Sequence, residues 1–452
     1  MNTNNNEYIV IGLDFGTSCS KVVVQAPFIV GGGKCWAVYF GVNGHQSNRY
    51  LLPSRIVVGE DGVGSLLQPQ SVGSHFHVGK EYLLEEPQRL IDPIKGTYEP
   101  QKAICLAVLY VALTLRVVRK WFQDNHGTEF KGKKIVWEFN LGIPSKGFDD
   151  KELRSVFHKI AIAAWGLSEK AGSLTMDNAR EYLENDDGKE LGPDINPEDI
   201  NVLPEVIAEF MGYSLSSERQ EGLHIIADVG ANTFDLCAFE LHKRDGVLRY
   251  PFLSAIVEKM GAFRLHENRL SLTENWFQGL LRKNGKIDDQ VVSIPSDLKS
   301  YLSFINNESE LVSLSEQDDK YLDKCKLMFT QTIHWMLRRS PNSRMWEIGI
   351  PCFFCGGGAQ LDFYQKALLK ANGWIRSHTQ RKPLQSKLIP KPKNLIARNL
   401  SENEYQRLGV AYGLSFRARN FGEFTSSCNI SPLLPEGPTS YDMIEYISKE
   451  YM

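Results

Sequence analysis

One short pattern occurs twice, far apart in the chain, and it constrains the fold more than any other feature. Tyr8-Ile9-Val10-Ile11-Gly12-Leu13 is an apolar run that closes on Asp14 and Phe15. It turns through Gly16-Thr17-Ser18-Cys19-Ser20 and returns as Lys21-Val22-Val23-Val24. Ile225-Ile226-Ala227 likewise closes on Asp228, turns through Val229-Gly230-Ala231-Asn232-Thr233, and returns as Phe234 to Leu241. Each reads as a buried β-hairpin with an acid and hydroxyls at the bend. The repetition predicts two related lobes. A third unit joins them: the strand-like run Cys352 to Cys355 leads into Gly356-Gly357-Gly358 and then a helix from Leu361 to Ala371.

A chain of 452 residues is long enough for two large lobes. Its 42% hydrophobic and 23% charged residues exclude wholesale disorder, a collagen-like repeat and a disulfide scaffold. The net charge of −3 gives no global pull towards nucleic acid or an anionic membrane. The polar start, Met1 to Glu7, lacks the order of a secretory signal. The longest apolar stretch, Ala103 to Leu115, is short of the ~20 residues that span a bilayer. Eight dispersed cysteines read as reduced thiols, so the expected location is the cytoplasm.

Several motifs are excluded. Cys352 and Cys355 have CxxC spacing, but on a strand positions i and i+3 face opposite sides, which predicts two buried thiols. His266-Glu267 begins like a helical zinc site, yet Leu270 stands where the second histidine belongs. There is no GxxxxGK[ST] and no GxSxG. Zinc hydrolase, serine hydrolase and P-loop readings fall away.

Further strands are expected at Trp36 to Phe40, Ile56 to Val58 and Ile135 to Ile143, the last stopped by Pro144. Helices are expected at Gln101 to Phe122, Asp149 to Trp165 and from Leu203-Pro204-Glu205 to Tyr213, with a final one from Asn403 to Phe416. The polar stretch Ser173 to Asn201 reads as a solvated loop or, alternatively, a partner-binding insert. Leu265 to Trp346 reads as mainly helical, Arg376 to Lys393 as an exposed basic connection, and the last thirty or so residues as an appendage.

The recurring turns have a chemical rationale. Glycine lets backbone approach a ligand closely, and successive turn amides make a nest for phosphate oxygens. Thr17, Ser18 and Thr233 add hydroxyl donors. Asp14 and Asp228 would repel a polyphosphate, and make sense around hydrated Mg²⁺, which uses one or two carboxylates, water and substrate phosphates. One such turn is an ordinary hairpin. Two, together with the strand–glycine triplet–helix unit, point to a nucleotide.

On these residues the chain resembles the actin, sugar-kinase and heat-shock ATPase superfamily. Ile11 to Lys21 is similar to its first phosphate motif, Ala227 to Asp235 to the second, and Phe353 to Gln360 to the adenosine motif. The nearest likeness is to the nucleotide-binding domain of the seventy-kilodalton (DnaK-type) heat-shock family. Gly142-Ile143-Pro144-Ser145, Leu203-Pro204-Glu205-Val206-Ile207-Ala208 and Leu408-Gly409-Val410-Ala411-Tyr412-Gly413 resemble three further stretches of that family. The resemblance runs over roughly residues 8–417 and is good at the motifs.

It implies an α/β fold: two duplicated, ribonuclease-H-like lobes around a central nucleotide cleft. The expected division is 1–215, 216–402, a closing helix at 403–419 and an appendage at 420–452. It implies ATP or ADP with Mg²⁺, with Asp14, Asp228 and Glu205 around the hydrated metal. Thr17 and Thr233 would contact the β and γ phosphates, and Gly16, Ser18, Lys21, Gly230, Ala231 and Asn232 complete the phosphate turns. Gly356, Gly357, Gly358 and Gln360 would face the adenosine. Glu205, Asp228 and Lys95 carry the catalytic roles, Lys95 as a match to the lysine that orients the attacking water. The Lys95 stretch also resembles the actins' Pro-Ile segment, and both assignments stay open. Asp235 fits the second acid of the second motif.

The chain departs from that family at several points. Ala231 and Asn232 replace two glycines, Gly358 a serine, and Gln360 an adenine-stacking arginine. No Glu-x-x-Lys helix is evident between Ser271 and Arg339. Asn420 to Met452 is too short for the family's peptide-binding domain. The first function expected is a nucleotide-switched ATPase read by a partner protein. The alternative is an actin-like filament, in which the acidic insert would be a subunit contact. A small-molecule kinase would need Asp149, Asp150 or Glu152 as base, which helix-start acids explain without any catalytic role. A nucleotide binder without hydrolysis is the fourth reading.

Overall fold

The computed structural model describes residues 6–29, 33–44, 48–67, 73–78, 83, 100–144, 150–184, 191–270, 308–426 and 429–431. Lys95, Ser145, Asp149, all of 271–307 and most of the C-terminal appendage lie outside the described residues.

The chain is mixed α/β, built on two mixed sheets and a smaller three-stranded one. Along the main path of the first sheet the strands are Leu395–Ile396, Lys34–Ala37, Cys19–Ala26, Asn6–Asp14, Lys134–Ile143 and Ile200–Pro204. Asn6–Asp14 pairs antiparallel with Cys19–Ala26 and parallel with Lys134–Ile143. The second sheet runs Gln385–Leu388, Pro351–Cys355, Gly222–Val229, Phe234–Arg244, Val247–Glu258 and Glu423–Thr425. There Gly222–Val229 pairs antiparallel with Phe234–Arg244 and parallel with Pro351–Cys355. Leu52–Pro53 pairs with Cys19–Ala26 off this path; with it left out and strands numbered by appearance along each path, both sheets share the order 3-2-1-4-5. In each, the hairpin bearing the Asp-Gly turn supplies strands 1 and 2.

These central strands read as near-continuous apolar runs because both faces are covered. One face of the first sheet packs Ile9, Ile11 and Leu13 against the helices Pro100–His126 and Lys151–Glu169, which contribute Leu109, Phe122, Phe157 and Trp165. The corresponding core of the second sheet joins Ile225, Ala227 and Phe354 to the helices Glu308–Arg339 and Asp362–His378 through Phe329, Ile333 and Tyr364. A third core lies between the remaining faces. It combines Val23 and Ala37 of the first sheet with Ile226, Phe239 and Phe353 of the second. Ile207, Phe210, Ala411 and Leu414, from the helices Glu205–Ser214 and Gly409–Leu414, complete it.

Those two helices cross at backbone contact. A Cβ at Gly413 would overlap the Ala208 carbonyl, and one at Gly12 would overlap the Leu414–Ser415 backbone. Asn140 Nδ2 donates to Leu414 O at 2.7 Å and Phe416 O at 2.8 Å, which caps the second helix onto the first sheet. No helix among the described residues is long and apolar enough to cross a membrane.

Several local expectations change. Ser173 to Asn201 is not simply a loop: it contains the helix Met176–Glu184, anchored by buried Ala179, with Leu174, Leu191 and Ile195 also buried. Arg376 to Lys393 takes in the end of one helix and the edge strand Gln385–Leu388. Val247–Glu258 is a strand that the sequence pattern did not reveal. The C-terminal residues Glu423–Thr425 pair in parallel with it, so the appendage is tied to the second sheet. Asn403 to Phe416 divides into two short helices, Glu402–Tyr405 and Gly409–Leu414. Asp150 caps its helix, accepting from the amides of Glu152 at 2.9 Å and Leu153 at 3.0 Å. That local bonding accounts for the acid.

Candidate functional site

The two Asp-Gly turns and the glycine triplet meet at one cavity of about 280 Å³. Asp14, Gly16, Thr17, Ser18 and Lys21 line it from the first hairpin, and Asp228, Gly230, Ala231, Asn232, Thr233 and Asp235 from the second. Gly356, Gly357, Gly358 and Gln360 border it, and Glu205 reaches it from the start of its helix. Every site residue expected from the sequence except Lys95 therefore lines the same space.

Local bonding explains how the turns present themselves. In the first, Ser54 donates from its hydroxyl to Gly16 O at 2.6 Å and from its amide to Ser18 O at 3.0 Å. In the second, the amides of Gly261, Ala262 and Phe263, at the start of the helix Ala262–Leu270, donate to the carbonyls of Asn232, Gly230 and Ala231. Both turns thus have their carbonyls held from behind. The amides of Thr17, Ser18, Ala231, Asn232 and Gly357 take no part in the backbone hydrogen-bond network of the described residues. Such an array suits an anion.

The glycines have specific tasks. Gly356 adopts φ +80°, and a Cβ there would overlap Asp228 Oδ1 and the Val229 carbonyl. Gly358 donates to Val229 O at 2.8 Å, and its Cβ would stand 2.9 Å from Ala262 Cβ. This binds the triplet to the second hairpin. Ala231 and Asn232 do not have positive φ, so the turn accepts side chains at these two positions without backbone strain.

Charge is unevenly placed. Lys21 Nζ meets Asp14 Oδ2 at 2.9 Å, with both groups largely buried. Glu205 is 7% exposed, and Gly142 makes its room: a Cβ there would lie 2.9 Å from Glu205 Cγ. One turn further on, Glu209 also lines the cavity and is 2% exposed. Burial holds the Glu209 carboxyl well above the carboxylate range, and the charges of Asp228 and Asp14 push it further. Sequence reasoning missed Glu209, although its i+4 spacing from Glu205 places both acids on one helix face. It also missed Arg407, which lines the cavity beside Gly357. Gln360 is held differently from a stacking group, donating to Asn403 O at 2.9 Å.

Among the described residues no three His, Cys, Asp or Glu side chains are grouped to hold a metal directly. Asp14, Glu205 and Asp228 could hold one through its water shell, and their concentrated negative charge suits a divalent cation. Cys352 and Cys355 are fully buried free thiols whose pKa burial raises, with Glu209 and Asp228 of the cavity raising that of Cys355 further. No protein-family model matches the chain, and no curated protein matches it.

Proposed function

We propose that the chain is a two-lobed, actin-like ATP-binding protein, nearest to the nucleotide-binding domain of the seventy-kilodalton heat-shock family. In this reading it is a slow Mg²⁺-dependent ATPase whose cleft a partner protein reads. The carrying observation is the convergence of three glycine turns, remote in sequence, on one cavity with buried carboxylates. The doubled 3-2-1-4-5 sheet order supports the two-lobed architecture. So does the placement of the ligand space at the strand ends, where open α/β sheets bind ligands.

The free amides and the hydroxyls of Thr17, Ser18 and Thr233 would receive phosphate oxygens. Lys21 holds Asp14 through Oδ2, so Oδ1 would serve the metal's water shell together with Asp228, which lines the same cavity from the second hairpin. Bound Mg²⁺ would neutralise charge on the terminal phosphates. Glu205 would hold a water near the nucleophile's path, and transfer to water would proceed by positioning and charge neutralisation. A ligand gripping both sheets favours the closed arrangement, which is the differential affinity a switch needs.

ATP binding and turnover by the purified chain, with Mg²⁺ and with excess EDTA, test this. Metal-dependent binding with slow turnover is expected. A chain that binds neither ATP nor ADP in Mg²⁺ would overturn the reading.

A further inference from the structure

The cavity that holds the acids Asp14, Glu205, Glu209 and Asp228 is also lined by two cations, Lys21 and Arg407. Asp14 and Asp228 act electrostatically on Glu209, and Lys21 partly offsets them. The groups that act on Arg407 are the Cys19 thiol, which burial keeps protonated, and the Glu404 carboxylate. Glu404 is already committed: its Oε2 accepts from the Ser401 amide at 3.0 Å and the Ser401 hydroxyl at 2.8 Å in a capping box. The Arg407 guanidinium makes no hydrogen bond or ion pair to any described residue, although burial lowers its pKa from the ordinary arginine value. Its Nε lies 3.6 Å from the point a Cβ on Gly357 would occupy, so the missing side chain keeps the space open. The amide of Gly357, beside it, is also outside the backbone network.

A half-buried guanidinium with no directly bonded counter-ion is costly, and its planar fork fits phosphate oxygens in two directions at once. We propose that Arg407 binds a phosphate of the cleft's ligand, beside the amide of Gly357. Arg407 and the Gly357 amide would hold that phosphate, while Asp14, Glu205 and Asp228 would hold the water shell of a bound metal. This rests on the nucleotide reading, and it adds a specificity residue from the segment that links the second sheet back to the first.

The test is calorimetric titration of ADP, adenosine and inorganic tripolyphosphate, in Mg²⁺, into wild type, Arg407→Gln and Arg407→Lys. ADP and tripolyphosphate affinity should fall roughly ten- to a hundredfold in Arg407→Gln, the range for a charge-assisted hydrogen bond. Adenosine affinity should not change, and Arg407→Lys should recover part of the loss. Unchanged ADP affinity, or an equal loss for adenosine, overturns the proposal. If wild type binds tripolyphosphate but no nucleotide, the nucleotide reading fails, and the tripolyphosphate comparison still decides the role of Arg407. The melting temperature of unliganded Arg407→Gln should not fall, because the guanidinium bonds to no described residue and its burial is unfavourable; if Arg407→Gln does not fold, Arg407→Lys supplies the comparison.

Discussion

Glu209→Gln should make the protein more stable at neutral pH, by an amount that grows with pH. Glu209 is 2% exposed, its side chain fills the space over Gly409, and a Cβ on Gly409 would overlap Glu209 Oε1. Burial first, then Asp228 and Asp14, raise its folded-state pKa well above the ordinary carboxylate range. The native state therefore binds a proton that the unfolded chain releases once the pH exceeds the ordinary carboxylate range. The associated stability is complete below that range and is lost as pH rises through the folded-state pKa. Over this window wild-type stability falls by up to about 1.4 kcal/mol per pH unit from this group alone. Glutamine keeps the shape and an acceptor for the Val410 amide but does not titrate. Urea unfolding of both proteins between about pH 4.5 and 7.5, followed by tryptophan fluorescence, should show curves that converge at the acid end and separate upwards. Parallel curves across the window would refute the assignment of a protonated, buried Glu209.

Other substitutions probe the scaffold and the site separately. Gly356→Ala should lose ligand binding, since φ +80° and overlap with Asp228 both oppose a side chain; retained affinity by calorimetry would show the triplet to be irrelevant. Gly413→Ala should cost about 1–3 kcal/mol or more by forcing the two crossing helices apart, whereas Gly373→Ala, in open space within Asp362–His378, should gain roughly 0.5–1 kcal/mol. Denaturant midpoints that fail to move in opposite directions would contradict the packing described. Glu205→Gln should keep Mg·ATP binding and slow turnover; unchanged single-turnover rates would remove its role.

Much of the site was legible because its chemistry is local. An acid closing an apolar strand, followed by glycine and hydroxyl residues, specifies a turn whatever surrounds it, so both hairpins and the Gly356–Gly358 bend were readable from their own residues. What was missed depends on long-range packing. Val247–Glu258 alternates poorly, with Pro251 in its middle and half-covered residues on both faces, and it becomes a strand only beside Phe234–Arg244. Gln385–Leu388 is an exposed, polar edge and carries no apolar signal. Glu209 runs against the rule that a helix's buried face is apolar, and only the neighbouring carboxylates and Gly409 explain it. Arg407 gains meaning from Gly357, fifty residues earlier in the chain, which no spacing rule connects to it.

The central claim is that Asp14 and Asp228, borne on separate sheets, act on one metal–triphosphate. Calorimetric titration of Mg·ATP into wild type, Asp14→Ala and Asp228→Ala tests it most directly. Binding in wild type with a one-to-one stoichiometry, abolished by either substitution while both variants retain a cooperative thermal transition, is the predicted result. Wild-type affinity in either folded variant would contradict it.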